Sequence, residues 1–346
     1  MGLRVVLPLE AKGEAEKYPR RFRGLGAEFE ARACDDDEEV LKLARDADAV
    51  ITVGSIRPIP KAVIRGLERC RVISNTQIGY DSIDVAAATE RGILVTNVPD
   101  YCVEEVSDHA MALILACSRR VIQLDRRVRQ GKWGLSADGM EIQTHIWPSL
   151  SRLQLQTLGL LGLGKVARAV ARKAKGFQLR TIAYDPYISQ GTGAEAGVEM
   201  VSLERLFRES DFLSIHAALT PETKHIVGDE ALRLMKPTAC VINTARGPLI
   251  DEEALCQALK EGRVAMAALD VTEREPPDKD SPLRHMDNVI TTGHSAFFSP
   301  ISEATRWERA ADEVARVIKG RWPQAVVNPA AKKEHVRRWG KMEEAC

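Results

Sequence analysis

Four side chains suited to acid–base and electrostatic chemistry follow one another in the C-terminal half of the chain, three of them just past short apolar runs and one before two prolines. Arg246 lies in NTARGPLID, Asp270 and Glu275 in ALDVTEREPP, and His294 in NVITTGHSAFF. A guanidinium can polarise a carbonyl oxygen and grip a neighbouring carboxylate in a planar fork. An imidazole beside a carboxylate can give and take a proton near neutral pH. Such a set would serve hydride transfer to a carbonyl, provided a hydride carrier is held face-on to it. Taken singly, each has a plainer reading: Arg246 as a surface ion pair, Glu275 as a loop acid, His294 as a satisfied core histidine. The choice depends on whether the chain also holds such a carrier, and on which elements bring these positions together.

The stretch GLLGLGKV, from Gly159 to Val166, fits a triphosphate-binding loop at every position but the last and also contains the start of a dinucleotide loop. A triphosphate-cleaving loop needs a hydroxyl after its lysine to ligate magnesium, and Val166 supplies only methyl groups. The other parse puts Gly159 inside a strand and reads Gly162-x-Gly164-x-x-Ala167 as a dinucleotide loop. Gly162 then makes the tight turn, Gly164 lets a pyrophosphate approach, and Ala167 lets the helix pack closely on the strand. Val166, Ala167, Val170, Ala171 and Ala174 share one side of that helix, Gly176 stops it, and its N-terminus offers N–H groups and a positive dipole end. The next strand, RTIAY, ends at Asp185, about twenty residues on, where a carboxylate can accept ribose hydroxyls and repel a 2′-phosphate. Strand, loop, helix and terminal acid in that order favour a retained NAD over a nucleotide to be hydrolysed.

These positions need a parallel α/β scaffold. LRVVLPL, AVITVG, RVISNT and ILVTNVP read as strands of a first domain, with helices in PKAVIRGLERC and VAAATERG. From Val103 to Trp133 an apolar stripe of Val106, Ala110, Leu113, Ile114, Cys117, Val121 and Leu124 predicts one long helix. After the less regular SADGMEIQTHIWPSLSR, six strand candidates follow: TLGLL, RTIAY, DFLSIHA, ACVINTA, VAMAALD and NVITTG. A final helix spans Ser302 to Lys319, with Gly320 as its cap. Ligands of open parallel sheets bind beyond the carboxyl ends of strands, where Arg246, Asp270 and His294 all fall.

At 346 residues the chain exceeds one core and predicts two domains with a cleft. Balanced charge, 49 basic against 49 acidic residues, argues against nucleic acid and anionic membranes as partners. Seven scattered cysteines form no C-x-x-C, which fits a reducing cytoplasm and neither a disulfide framework nor a zinc site. No segment has the length of a membrane span.

Read together, GLLGLGKVARAVARKAKGFQLRTIAYDPY, LSIHAALTPETKHIV, VINTARGPLIDEEAL, AALDVTEREPP and the His294 segment resemble the D-2-hydroxyacid dehydrogenase family over nearly the whole chain. NVPDYCVEEVSDHAMALILA, HSAFFS and VIKGRWPQAVVN resemble its C-terminal-binding-protein-like branch, which includes NAD-binding corepressors. The resemblance implies two Rossmann-like parallel-sheet domains: a flavodoxin-like substrate domain from residues 1–103 and 299–346, and an NAD-binding domain from 104–298, paired into homodimers. It implies Arg246 as substrate-binding and polarising residue, Glu275 and His294 as a proton-donating dyad, and Asp270 near the nicotinamide carboxamide. Lys165, Val166, His216, Thr223 and Thr244 join Gly162, Gly164, Asp185 and His294 as expected cofactor contacts. Main-chain N–H groups around Ile78 and Gly79 are expected to bind the substrate carboxylate, and Phe297 its side chain. The activity implied is interconversion of a 2-keto acid and its D-2-hydroxy acid; the alternative is an NAD-sensing, corepressor-like interaction protein with a vestigial site.

Departures accompany the match. Gly293 stands where the family usually has proline, which predicts a less firmly aimed His294. Asn75 stands where the corepressor-like branch tends to carry arginine, Thr76-Gln77 stand where smaller residues are common, and Leu155 replaces a frequent glycine. A second cation for the substrate would then be missing unless Arg57 supplies it. His216 reads as a cofactor contact without a catalytic role and His109 as structural. The acidic run CDDDEEV reads as a helix start in favourable contact with the dipole. His145 and Trp147 mark an arm that packs on a neighbouring subunit or beside substrate.

Overall fold

The computed structural model describes residues 2–133 and 150–343. The chain divides into two compact units, Met1–Tyr101 with Ser299–Cys346, and Cys102–Phe298. His145 and Trp147 lie outside the described residues. The cysteines described form no disulfide, and no described helix is long and apolar enough to cross a membrane.

The first unit is built on an all-parallel sheet of β1 (Leu3–Leu7), β2 (Ala27–Ala31), β3 (Ala49–Thr52), β4 (Val72–Asn75) and β5 (Leu94–Thr96), in the order β2-β1-β3-β4-β5. Residues of β3, β4 and β5 are buried throughout, as expected of strands covered on both faces. The sequence reading missed β2: on this edge strand Glu28 and Glu30 alternate with Ala27 and Phe29, and only Ala27 is fully buried. The final helix starts earlier than expected, at Pro300. The Ser299 hydroxyl accepts the Ser302 N–H and the Ser302 hydroxyl accepts the Ser299 N–H, so Ser299 is the cap and Ser302 the third helical residue of a capping box. The Ser74 hydroxyl on β4 donates to Ala310 O at 2.9 Å and fixes this helix to the sheet. Asp36, in the acidic run, caps the helix Asp37–Ala44 by accepting the Glu39 N–H.

The second unit carries seven parallel strands: β6 (Thr157–Leu161), β7 (Arg180–Tyr184), β8 (Glu199–Met200), β9 (Phe212–Ile215), β10 (Cys240–Asn243), β11 (Met266–Leu269) and β12 (Val289–Thr291), in the order β12-β11-β10-β9-β6-β7-β8. The six expected strands are present; β8 is too short to leave a pattern in the sequence. The stretch from Val103 is not one helix but two, Val103–Arg119 and Val121–Arg129, because Arg120 takes a left-handed φ of 52°. Only the first carries the buried stripe, with Val106, Ala110, Leu113, Ile114 and Cys117 inside, while Val121 is half exposed.

Candidate functional site at the strand ends

The register of the second sheet puts the last residues of six strands in one line: Thr291, Leu269, Asn243, Ile215, Leu161 and Tyr184 are successive neighbours across it. The residues that follow them are Thr292, Asp270, Thr244, His216, Gly162 and Asp185, spaced by about 4.8 Å per strand. One edge thus carries the glycine loop, the ribose-binding candidate and the acid–base candidates.

At its β6–β7 end, Gly162 has a φ of 90°, and a Cβ there would lie 2.8 Å from the Ala217 nitrogen. Gly162 N–H donates to Tyr184 O, and Leu163 N–H donates to Asp185 Oδ2 at 2.9 Å. The other Asp185 oxygen accepts the Tyr187 N–H at 2.9 Å, so this carboxylate is held from both sides. Gly164 begins the helix Lys165–Ala174 with no side-chain cap, and nothing lies within 4 Å of where its Cβ would be. Open space where a side chain would stand lets a pyrophosphate approach the start of this helix, whose dipole end favours an anion. Ala167, fully buried, lets this helix sit close on the sheet, and Val170, Ala171 and Ala174 pack beside it.

In the middle of the row, the buried Thr244 Oγ1 has no hydrogen-bond partner among the described residues. An orphaned hydroxyl on this edge fits a polar ligand lying across the strands. His216 Nε2 lies 2.8 Å from Ser214 Oγ, and burial pushes its pKa down to about 4, leaving a neutral ring near pH 7. Thr223 follows the β9 end in a surface turn, where its hydroxyl accepts the Thr220 N–H and donates to Ala218 O.

Asn243, which the sequence reading passed over, shapes the turn that carries Arg246: its amide donates to Arg246 O at 2.8 Å and its carbonyl accepts the Ala245 N–H at 3.0 Å. Gly247 was also missed. A Cβ there would collide with Thr272 O at 1.9 Å, so only glycine lets the Arg246 turn lie against the segment that leads to Glu275. The only sequence signal for either was its place beside the arginine in NTARG.

At the β11–β12 end, His294 Nδ1 lies 2.6 Å from Glu275 Oε2, and Glu275 Oε1 accepts the Thr272 N–H at 3.2 Å. Gly293 and His294 take consecutive positive φ values of 65° and 56°. Proline could not occupy position 293 on this path, since its ring holds φ near −65°. The backbone freedom of Gly293 is therefore used in a defined turn. His294 is fixed by its N–H to Asp270 O, by Glu275, and by edge-on contact with the Phe297 ring at 6.2 Å. The buried Asp270 carboxylate accepts the Ser295 and Ala296 N–H groups, both at 2.9 Å, and the Thr292 hydroxyl at 2.6 Å.

In the first unit, the carbonyls of Ile78 and Gly79 are held by the side-chain amides of Asn97 and Asn75, at 2.7 and 2.6 Å. Their N–H groups donate to no atom among the described residues. Asn75 is thus a loop organiser, which also accepts the Gly54 N–H. Arg57 is turned to Asp35 O at 2.9 Å. Arg306 bonds Thr76 Oγ1 from behind while pairing with Glu303.

Comparison with known proteins identifies the family. The chain is 40% identical over 293 residues to a glyoxylate reductase of Korarchaeum cryptofilum, covering 84% of this chain and 85% of that one. It is equally identical over 293 residues to a D-3-phosphoglycerate dehydrogenase of Methanocaldococcus jannaschii, again over 84% of this chain, but spans only 53% of that longer protein. Among solved structures it resembles the D-lactate dehydrogenase of Aquifex aeolicus complexed with NAD and lactic acid, with a TM-score of 0.78 and 26% identity over 92% of this chain and 96% of that one. These relatives are enzymes and lend the corepressor-like branch no support. Residues 111–296, more than half of the chain, match the model of the D-isomer specific 2-hydroxyacid dehydrogenase NAD-binding domain. With its cofactor-binding half matched and 84% of its length aligned with a glyoxylate reductase, the chain belongs to the D-isomer specific 2-hydroxyacid dehydrogenase family.

Proposed function

We propose that this dehydrogenase interconverts a small 2-keto acid and its D-2-hydroxy acid, with Arg246 as the polarising cation and His294, held by Glu275, as the proton donor. The observation that carries the reading is the 2.6 Å contact between Glu275 and His294 Nδ1. It leaves Nε2 as the ring atom available to a substrate and matches a charged imidazolium with a carboxylate. The nicotinamide cofactor supplies the hydride when bound. Gly162, Gly164 and the N–H groups of Lys165 and Val166 would hold its pyrophosphate, Asp185 its adenosine ribose, and Thr244 and Asp270 its nicotinamide half.

As the carbonyl oxygen gains charge, Arg246 stabilises it and His294 Nε2 delivers a proton to it. His216, neutral near pH 7, lacks the acidic proton of an imidazolium and acts by contact. The N–H groups of Ile78 and Gly79 are proposed to take the substrate carboxylate. Phe297, against the His294 ring, is proposed to favour apolar substrate side chains. The similarity to a glyoxylate reductase makes glyoxylate the first keto acid to test.

NADH oxidation should be measured with glyoxylate, hydroxypyruvate, pyruvate and longer apolar 2-keto acids, followed by chiral analysis of the product. Turnover of at least one, with a D product wherever a stereocentre forms, is expected. Tight NADH binding without turnover of any of them would overturn the reading.

A further inference from the structure

His109 lies on the helix Val103–Arg119, far in sequence from the residues assigned to the reaction. Its Nε2 is nevertheless 2.9 Å from Thr292 Oγ1 and 3.7 Å from Asp270 Oδ1. The direction of the first contact follows from proton counting. Both oxygens of Asp270 accept main-chain N–H groups, from Ser295 and Ala296, so its buried side chain serves as an acceptor on both sides. The Thr292 hydroxyl therefore spends its single proton on Asp270 Oδ1, at 2.6 Å. What Thr292 has left are acceptor lone pairs, and the nitrogen facing them, His109 Nε2, must carry a hydrogen. The result is a directed chain from His109 through Thr292 to Asp270.

Asp270 is where this chain gains leverage. Its carboxylate anchors Ser295 and Ala296, and its main-chain oxygen accepts the His294 N–H. Its side chain is 1% exposed and the His109 side chain 25%, so the histidine connects the carboxylate to the edge of solvent. Chained donors polarise one another, and a buried charge depends on every donor it has.

We propose that His109 is a positioning residue, which acts through the Thr292 hydroxyl to hold the Asp270 carboxylate in place for the nicotinamide half of the cofactor and for the backbone of the His294 turn. This rests on the assignment of Asp270 to the cofactor, so the test carries that assignment as its own arm. NADH dissociation constants, from the fluorescence of the bound cofactor, and kcat/KM should be measured for wild type, His109→Leu, His109→Gln, Thr292→Val, the Leu/Val double variant and Asp270→Asn, with thermal melts to verify folding.

Expected is roughly tenfold weaker NADH binding in Thr292→Val, which loses a hydrogen bond to the Asp270 carboxylate, and a similar loss in His109→Leu, which removes the donor behind it. The double variant should be no worse than either alone, since both cut the same chain. His109→Gln, whose amide can still donate to Thr292, should recover most of the affinity. Nitrogen-15 NMR of the imidazole should place the proton of the neutral ring on Nε2. Weak NADH binding by Asp270→Asn beside wild-type binding by His109→Leu would overturn the relay and leave the Asp270 assignment standing. Unchanged binding by Asp270→Asn would overturn both. Additive losses in the double variant, or no recovery with glutamine, would reduce His109 to a packing role.

Discussion

Glu275 meets His294 at 2.6 Å through one carboxylate oxygen and the Thr272 main-chain N–H at 3.2 Å through the other. Held from two sides, the carboxylate cannot follow a moving ring. It sets the imidazole tautomer and supplies a counter-charge to its protonated form. Glu275→Gln keeps the shape and removes the charge. We expect kcat/KM for keto-acid reduction to fall about 10- to 100-fold with NADH affinity unchanged. Oxidation of the hydroxy acid at the same pH should fall by a similar factor, because a variant cannot alter the overall equilibrium. Reduction within twofold of wild type would remove Glu275 from the dyad.

Arg246→Lys retains a positive charge and loses the planar fork that can engage a carbonyl and a carboxylate oxygen together. Because the turn is shaped by Asn243 and Gly247, the substitution should leave the backbone in place. A loss of about 100-fold or more in kcat/KM, with the NADH dissociation constant within about twofold of wild type, is the expected outcome. A lysine variant with most of its turnover would mean that another group polarises the carbonyl.

Cofactor choice should follow Asp185. Its carboxylate, fixed by Leu163 and Tyr187 N–H groups, cannot turn away from a 2′-phosphate. The repulsion should be on the order of 1 to 3 kcal/mol, or roughly ten- to hundredfold in favour of NADH over NADPH. Asp185→Ala should narrow this gap mainly by weakening NADH. Equal dissociation constants for the two cofactors in the wild type would contradict the assignment.

Much of this architecture could be read from the chain because the parallel strands write themselves as β-branched runs and the chemistry falls just past their ends. Arg246, Asp270 and His294 were visible for that reason, as was the glycine loop between strand and helix. The edge strand Ala27–Ala31 escaped because its glutamates break the apolar run. The break at Arg120 escaped because the apolar spacing continues through Val121 and Leu124, and no glycine or proline marks the left-handed residue. The His109–Thr292 contact joins residues 183 positions apart and has no local signature at all. Asn243 and Gly247 act through a turn and a close backbone approach, which only coordinates reveal.

Acid stability should report His216. Its folded pKa of about 4 lies below the ordinary histidine value of 6.5, because burial disfavours the charged ring. Between those two values the unfolded chain binds a proton that the native ring does not. The associated stability is fully present above pH 6.5 and is lost as pH falls toward 4. At pH 5 the loss amounts to about 2 kcal/mol. His216→Gln should therefore show a smaller drop in denaturant midpoint between pH 7.5 and 5 than wild type. Parallel drops in the two proteins would indicate a histidine that charges freely in the native state.

The central claim is that His294 delivers the proton, and His294→Gln tests it directly. Steady-state NADH oxidation with the best keto acid of the panel should be measured at saturating NADH, with cofactor affinity determined separately on the same preparations. Loss of a positioned general acid predicts a fall in kcat/KM on the order of 100- to 10,000-fold with NADH binding preserved. A variant that binds NADH normally and keeps kcat/KM within tenfold of wild type would show that the proton comes from elsewhere.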